Sequence, residues 1–247
     1  MKLIVDIGNT KVKTGVFDGK ELVASQSYDA WCRDDWRRLW QRFPIESGIL
    51  ATVSGCPDWV AAETAGIPFL LWDRFRPELT LRYPVCGSYD VAKLGRDRIA
   101  ISVALRCLYP RQSVLGIGMG SCITYNLVRA DGRFDPGAIS PGVYMRLRGM
   151  HTFTHSLPQA ELDWQADTWP TPVPVSDSET ALRAGAVEGV RYELEGFIRR
   201  YRAEFGDIPV VLTGGDAGYF EFSPKKRIFA RPNLALFGLN EILDDNK

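Results

Sequence analysis

The sequence predicts an α/β protein in which one fold is repeated along the chain. Three observations carry that prediction. The element order β-β-β-α-β-α, read from apolar periodicity, runs once up to residue 112 and then restarts. In each copy a strand runs into a glycine-bearing tight turn, DIGNT at 6–10 and GMGSC at 118–122, and doubles back as a second strand. An Asp-Gly hairpin turn then follows at nearly the same distance: Asp18-Gly19 lies 12 residues after Asp6, and Asp131-Gly132 lies 13 residues after Gly118. The boundary this implies divides the chain into 1–112 and 113–247.

The elements read clearly in order. KLIVDI and VKTGVFD are strands, and KELVAS forms a third after the Asp18-Gly19 turn. Trp36, Leu39, Trp40 and Phe43 recur at the spacing of one helix face. GILATVS at 48–54 is strand-like, 57–65 is a helix, and IPFLLW at 67–72 is a strand. The polar, proline-bearing stretch 73–90 is read as loop. From Asp97 a helix follows, with Ile99, Ala100, Val103, Ala104 and Cys107 on one side, and it stops before Pro110. In the second copy SVLGIG (113–118) and CITYNLV (122–128) are strands, and a third short strand follows the Asp131-Gly132 turn. After a Pro/Gly/Trp-rich segment at 158–174 come a long helix at 179–204, a buried strand at 209–215 and a last helix at 233–243.

Composition narrows the function. The 247 residues are 45% hydrophobic and 24% charged, long enough for a substantial core, and hold no apolar run of bilayer length. Thirty basic residues balance thirty acidic ones, which removes the electrostatic argument for nucleic acid or an anionic membrane surface as partner. Asp6 interrupts the apolar start too early for a signal peptide, so a cytoplasmic protein is expected. The five cysteines contain no CxxC pair and are expected to be reduced thiols, with Cys107 and Cys122 in the core. His151 and His155 sit four apart, but nothing nearby has metal-ligand spacing, so they are read as ordinary loop or packing residues.

The turns carry the chemistry. Glycines at strand ends let a ligand approach the backbone, whose N–H groups form an anion-binding concavity. Thr10 and Ser121 add hydroxyl donors, Lys13 adds positive charge, and LTGGDA at 212–217 supplies a third glycine turn. An aspartate among these groups would repel bare phosphate. It makes sense where magnesium bridges carboxylate and phosphate, so Asp6 is read as holding hydrated Mg²⁺ beside a nucleotide. The competing reading of DIGNT is a plain turn, since Asp and Asn favour turns. GIGMGS at 116–121 superficially matches a dinucleotide loop, but the following strand excludes the helix that motif needs. In LGRDR (94–98), Asp97 opens a helix between two arginines, where an ionised carboxylate can accept a proton from a hydroxyl. The same position also suits an ordinary helix-start carboxylate paired with arginine.

These pieces together resemble the type III pantothenate kinases, a family of the acetate kinase, sugar kinase and actin superfamily. DIGNTKVK (6–13) looks like the family's first phosphate loop and LGRDR like its Gly-x-Asp-Arg signature. SPG (140–142), THSLP (154–158), SETALRAGAVEG (178–189), LTGGDA and LALFGL (234–239) follow in the family's order. The resemblance implies two actin-like, ribonuclease H-like domains, each a mixed sheet with flanking helices, with the nucleotide between them. It implies transfer of the ATP γ-phosphate to pantothenate, the first step of coenzyme A biosynthesis. Asp97 would be the base, and Asp6, Ile7, Gly8, Asn9, Thr10, Lys11, Val12, Lys13 and Ser121 would hold ATP and Mg²⁺. Tyr89, Gly95, Arg96, Asp97, Arg98 and Thr180 would contact pantothenate, with Arg98 facing its carboxylate. A homodimer and a K⁺ or NH₄⁺ requirement are also implied.

The chain departs from the family in the second loop. Gly118 stands where an aspartate usually helps bind the monovalent cation, and Asn126 stands where another carboxylate is common. The expectation is an active kinase with an altered cation requirement. The alternatives are a weakened or inactive relative that binds pantothenate or nucleotide as a sensor, and a kinase of the same superfamily acting on another small hydroxyl compound.

Overall fold

In the computed structural model the apolar run at the start forms β1 (Lys2–Ile7), which lies at the centre of a five-stranded sheet. The structure describes residues 1–52, 55–72, 93–164, 174–220, 222 and 226–246. β1 pairs antiparallel with β2 (Val12–Asp18) and parallel with β4 (Ser47–Thr52). Its edges are paired and its faces are packed, so Leu3, Ile4 and Val5 are fully buried. β3 (Glu21–Tyr28) and β5 (Phe69–Trp72) complete the order β3-β2-β1-β4-β5. The Asp-Gly turn forms as the sequence predicts: Asp18 pairs with Glu21, and Gly19 takes φ +58°, a left-handed conformation that suits glycine.

Helix α1 (Arg33–Arg42) sets Trp36 and Leu39 into the core beside Leu3, Val5 and Leu50, and α2 (Asp58–Glu63) adds Val60. Each such side chain contributes about 1.5–3 kcal/mol of burial. Cys32 caps α1, and its backbone N–H donates to the Asp35 carboxylate at 3.0 Å. Helix α3 (Arg96–Leu108) buries Ile99, Ala100, Val103 and Ala104. It packs on the last helix, α6 (Leu234–Asp245). That contact is so close that a Cβ on Gly238 would overlap the Ala100 carbonyl.

The second sheet is built from β6 (Val114–Met119), β7 (Cys122–Val128), β8 (Phe134–Pro141), β9 (Val210–Thr213) and β10 (Ile228–Ala230). Its order, β10-β9-β6-β7-β8, is the order of the first sheet read from the other edge. The duplicated topology expected from the sequence is therefore present strand by strand. Helices α4 (Val143–Thr152) and α5 (Ser178–Phe205) pack against each other. The chain divides into two compact units, one of Met1–Gly116, Asn126–Pro136 and Asn233–Lys247, the other of Ile117–Tyr125 and Gly137–Pro232.

Three differences from the sequence reading have physical causes. Helix α4 was not expected: it is short and buries only Val143 and Leu147, too few apolar positions to show a period. β10 is three residues long and largely exposed, below the length at which alternation is visible. Cys107 is exposed rather than in the core, because it falls in the last turn of α3, where the helix leaves the packed face. Cys122 is half-buried. The loop expected at 73–90 lies outside the described residues. Among the described residues no helix is long and apolar enough to cross a membrane.

Candidate active site

The first hairpin brings opposite charges together by register alone. Asp6 is the fifth residue of β1 and pairs with Lys13 of β2, while Ile7 pairs with Val12. Beyond that pair the Gly8 N–H donates to the Lys11 carbonyl at 3.1 Å and closes the turn, leaving Asn9 and Thr10 exposed at its tip. Lys11 is exposed and pairs with Asp29 at 3.2 Å. Burial first, and then the Asp97 carboxylate, push Asp6 up to about 7, against the pull of Lys13.

Asp97 sits in the first turn of α3. Gly95 caps that helix, and its carbonyl accepts from the N–H groups of Arg98 at 3.1 Å and Ile99 at 3.2 Å. A Cβ at Gly95 would stand 2.5 Å from Asp97 Oδ1, so glycine is what leaves room for the carboxylate. Burial raises the Asp97 carboxyl, partly offset by the Arg98 and Asp97 backbone N–H groups and the Arg98 charge. The two arginines flanking it are both buried. The Arg96 guanidinium lies 5.0 Å over the Trp72 ring. Arg98 Nε donates at 2.8 Å to Oδ1 of Asn126, itself fully buried.

Asp6, in the field of the Asp97 carboxylate and paired across the hairpin with Lys13, could hold a divalent cation. Magnesium takes few protein carboxylates and completes its shell with water and phosphate oxygens. Among the described residues no group of three or more His, Cys, Asp or Glu side chains could hold a metal ion by itself.

The other unit assembles three glycine segments that the sequence singled out separately. Gly120 and Ser121 form the turn between β6 and β7, where the Gly120 N–H donates to the Cys122 carbonyl at 3.1 Å. Gly142, of the SPG segment, donates its N–H to the Ser121 carbonyl at 3.0 Å. Any Cβ there would overlap the Gly120 carbonyl. Gly214, at φ +104°, presses on Met119 so closely that a side chain has no room, and the Asp216 N–H donates to the Met119 carbonyl at 3.3 Å. Ser121 is thus held on a turn whose backbone is pinned from two sides.

Thr180 stands at the start of α5. Asp177 caps that helix, accepting from the Thr180 N–H at 2.8 Å and from its hydroxyl at 3.1 Å. Thr180 lines an open cavity of about 550 Å³ with Pro158, Asp177, Ser178, Glu179 and Arg183. The structure therefore gathers Asp6, Lys13 and Gly95 to Arg98 in one unit, and carries Ser121 and Thr180 in the other. Tyr89 lies outside the described residues. His151 is in the last turn of α4, where its Nδ1 lies 2.9 Å from the Leu157 carbonyl. Sequence reasoning missed Glu193, on which side chains of β7, β8 and α4 converge. Inside a long charged helix nothing in the sequence distinguishes it.

Comparison with known proteins gives the family. The family model described as type III pantothenate kinase matches residues 66–200, more than half of the chain. A type III pantothenate kinase of Phocaeicola vulgatus is 35% identical over 247 residues, covering 100% of this chain and 99% of that protein. One from Bacteroides fragilis is 36% identical over 249 residues, covering 100% and 98%. One from Cytophaga hutchinsonii is 30% identical over 246 residues, covering 100% of both. Among solved structures, a Campylobacter jejuni protein assigned to a Baf family of transcriptional activators superposes with TM-score 0.57 at 17% identity, covering 99% of this chain and 98% of that one. A Listeria monocytogenes protein assigned as an N-acetylmannosamine kinase gives TM-score 0.52 at 12% identity, with 98% of each covered. At these identities the structural likeness concerns the fold.

Proposed function

The chain belongs to the type III pantothenate kinase family, and from that premise we propose that it transfers the γ-phosphoryl group of ATP to the primary hydroxyl of pantothenate. The product is 4'-phosphopantothenate, the first intermediate toward coenzyme A. The observation that carries the residue roles is that Asp6 lies in the field of the Asp97 carboxylate while the β1–β2 register sets it against Lys13, so that partly buried groups from different elements face one another.

In this reading the hydroxyl oxygen attacks the γ-phosphorus, the bond to the β,γ-bridging oxygen breaks, and ADP leaves. Asp97 takes the hydroxyl proton, and a carboxyl raised by burial holds that proton better than an ordinary aspartate. Asp6 holds Mg²⁺, which when bound neutralises charge developing on the phosphates. Lys13 adds a second positive charge beside Asp6, while the backbone and hydroxyls of the Gly8–Lys11 and Gly120–Ser121 turns provide donors to phosphate oxygens. Positioning and charge neutralisation, rather than proton removal, supply most of the rate in phosphoryl transfer. Gly95, Arg96, Arg98, Tyr89 and Thr180 are assigned to pantothenate, with Arg98 directed to its carboxylate. Gly118 and Asn126 leave no carboxylate at those two positions of the second hairpin, so the reaction proceeds without dependence on K⁺ or NH₄⁺. The protein acts in the cytoplasm as a homodimer.

A coupled ADP-release assay with pantothenate and MgATP across a K⁺ series, run beside Asp97→Ala, tests this reading. Pantothenate-dependent turnover that is independent of K⁺ and lost in Asp97→Ala is the expected result. Turnover absent at every K⁺ and NH₄⁺ level, with pantothenate still bound in calorimetry, would overturn it.

A further inference from the structure

One carboxylate outside the reacting groups gathers more partners than the fold of its helix requires. Glu193 projects from the middle of α5. Its Oε1 accepts from the Tyr125 hydroxyl at 2.8 Å and from the Ser140 hydroxyl at 2.5 Å. Its Oε2 accepts from Arg146 Nη2. Those donors come from β7, β8 and α4, so a single side chain ties three further elements to α5. The network is partly buried: Tyr125 is fully buried, its ring stacked at 4.0 Å on Phe197, and the Glu193 side chain is 18% exposed. Burial works to raise the Glu193 carboxyl, but the donors from Ser140, Tyr125 and Arg146 outweigh it and hold the carboxyl below its usual value.

The destination of this network is the Ser121 turn. Ser140 and Arg146 bracket Pro141 and Gly142, and Arg146 Nε also donates to the Pro141 carbonyl at 2.9 Å. Gly142 then donates its N–H to the Ser121 carbonyl at 3.0 Å, in backbone contact too tight for any Cβ. A chain of direct bonds thus runs from Glu193 through Ser140 and Arg146 to the SPG segment, and from Gly142 to the turn that carries Ser121.

We propose that Glu193 is the positioning residue of the Gly120–Ser121 turn, fixing through Ser140, Arg146 and Gly142 the place of Ser121, whose hydroxyl this turn offers to the phosphates of the nucleotide. Glu193 touches no substrate itself. A hydrogen-bonded turn must be held to a fraction of an ångström for its donors to meet phosphate oxygens, and supporting residues of this kind change affinity when they are removed. The proposal rests on the kinase reading for the identity of the ligand, and its consequence falls on one substrate. Loss of Glu193 weakens ATP and leaves pantothenate alone.

The test is isothermal calorimetry of MgATP with the full chain, its Glu193→Ala variant and its Glu193→Gln variant, together with steady-state KM for both substrates and the melting temperature of each protein. Glu193→Gln keeps the size and an oxygen acceptor for Tyr125 and Ser140, and loses the charge facing Arg146. By analogy with the 10–100-fold losses seen when supporting residues are removed, Glu193→Ala should weaken MgATP about tenfold. Glu193→Gln should weaken it about threefold, with KM for pantothenate moving by less than about twofold in both. An unchanged MgATP affinity in folded Glu193→Gln and Glu193→Ala, or equal rises in both KM values, would overturn the proposal and leave the network a purely structural one. If the unaltered chain binds MgATP without pantothenate-dependent ADP release while both variants lose affinity, the kinase reading falls and this inference stands. If the unaltered chain binds no MgATP, both fall.

Discussion

The β1–β2 and β6–β7 hairpins share a backbone plan and differ in what they present. β1 and β6 are both six residues long and bury their positions in the same pattern, with only the fifth residue partly open. That residue is Asp6 in β1 and Gly118 in β6. The second residue of the following strand is Lys13 in β2 and Ile123 in β7. One hairpin thus concentrates opposite charges at its open end, and the other offers none at the corresponding positions. The turns differ in the opposite sense. Asn9 and Thr10 are exposed, whereas the Met119–Ser121 backbone is gripped by Gly142 and Gly214. One copy of the plan carries opposite charges and the other a pinned backbone. The same change shows at Arg98, whose Nε is held by a neutral amide, Asn126.

If charge resides in the first hairpin, removing it there should have the largest effect of any single change. Asp6→Asn keeps the volume and some hydrogen bonding while losing the metal-binding carboxylate. Its kcat/KM for pantothenate phosphorylation should fall about 10²–10³-fold, the range for deleting one preorganised electrostatic contact at a reacting group. ADP release under saturating Mg²⁺ measures it. Activity retained within about tenfold of the unaltered chain would mean that the charge is handled elsewhere, and the contrast between the hairpins would lose its functional meaning.

The converse change restores the missing carboxylate to the second hairpin. Gly118→Asp should convert a K⁺-indifferent rate into one stimulated by K⁺ about fivefold, equivalent to one ion contact of about 1 kcal/mol. A K⁺ titration against a Na⁺ background at constant ionic strength reads the effect. Equal rates in K⁺ and Na⁺ for both proteins would show that Gly118 does not account for the cation behaviour of this chain.

What the sequence made legible followed from how local each signal was. The duplication was readable because strand–turn–strand units and Asp-Gly turns are written in consecutive residues, and the two sheets share one strand order, which the sequence reading had not specified. Asp6 and Lys13 were each singled out in the sequence, but their pairing across the hairpin appears only with the strand register. Gly95 and Asp97 were readable as a motif, but the reason for the glycine, space for the Asp97 carboxylate, appears only in three dimensions. Glu193 was invisible because its partners lie 68, 53 and 47 residues away. Helix α4 was invisible because two buried residues make no pattern. Long-range polar convergence and short, weakly amphipathic elements leave no periodic trace.

The smallest of the three effects concerns the ligand-free protein and follows from the sign of a proton equilibrium. Folding raises Asp6 to about 7 from the ordinary carboxylate value near 3.8. Below that ordinary value both folded and unfolded chains carry the proton, and Asp6 contributes no pH dependence. Between about pH 4 and pH 7 the folded chain still holds a proton that the unfolded chain has released, so stability falls as pH rises. Above about pH 7 both forms are ionised and the penalty is complete and constant. Asp6→Asn removes this penalty, and the Asp97 carboxyl, raised chiefly by its own burial, supplies the slope that remains. The variant should therefore melt at nearly the same temperature as the unaltered chain at pH 4 and several degrees higher at pH 8, a domain of this size moving about 2–4 °C per kcal/mol. The gap should open across the pH 5–7 interval, and Mg²⁺ with ATP should close it by restoring positive charge beside Asp6. Melting curves that stay parallel across this range would place Asp6 in an environment that tolerates its charge. The first hairpin would then need no cation to complete it, and its difference from the second would be one of sequence only.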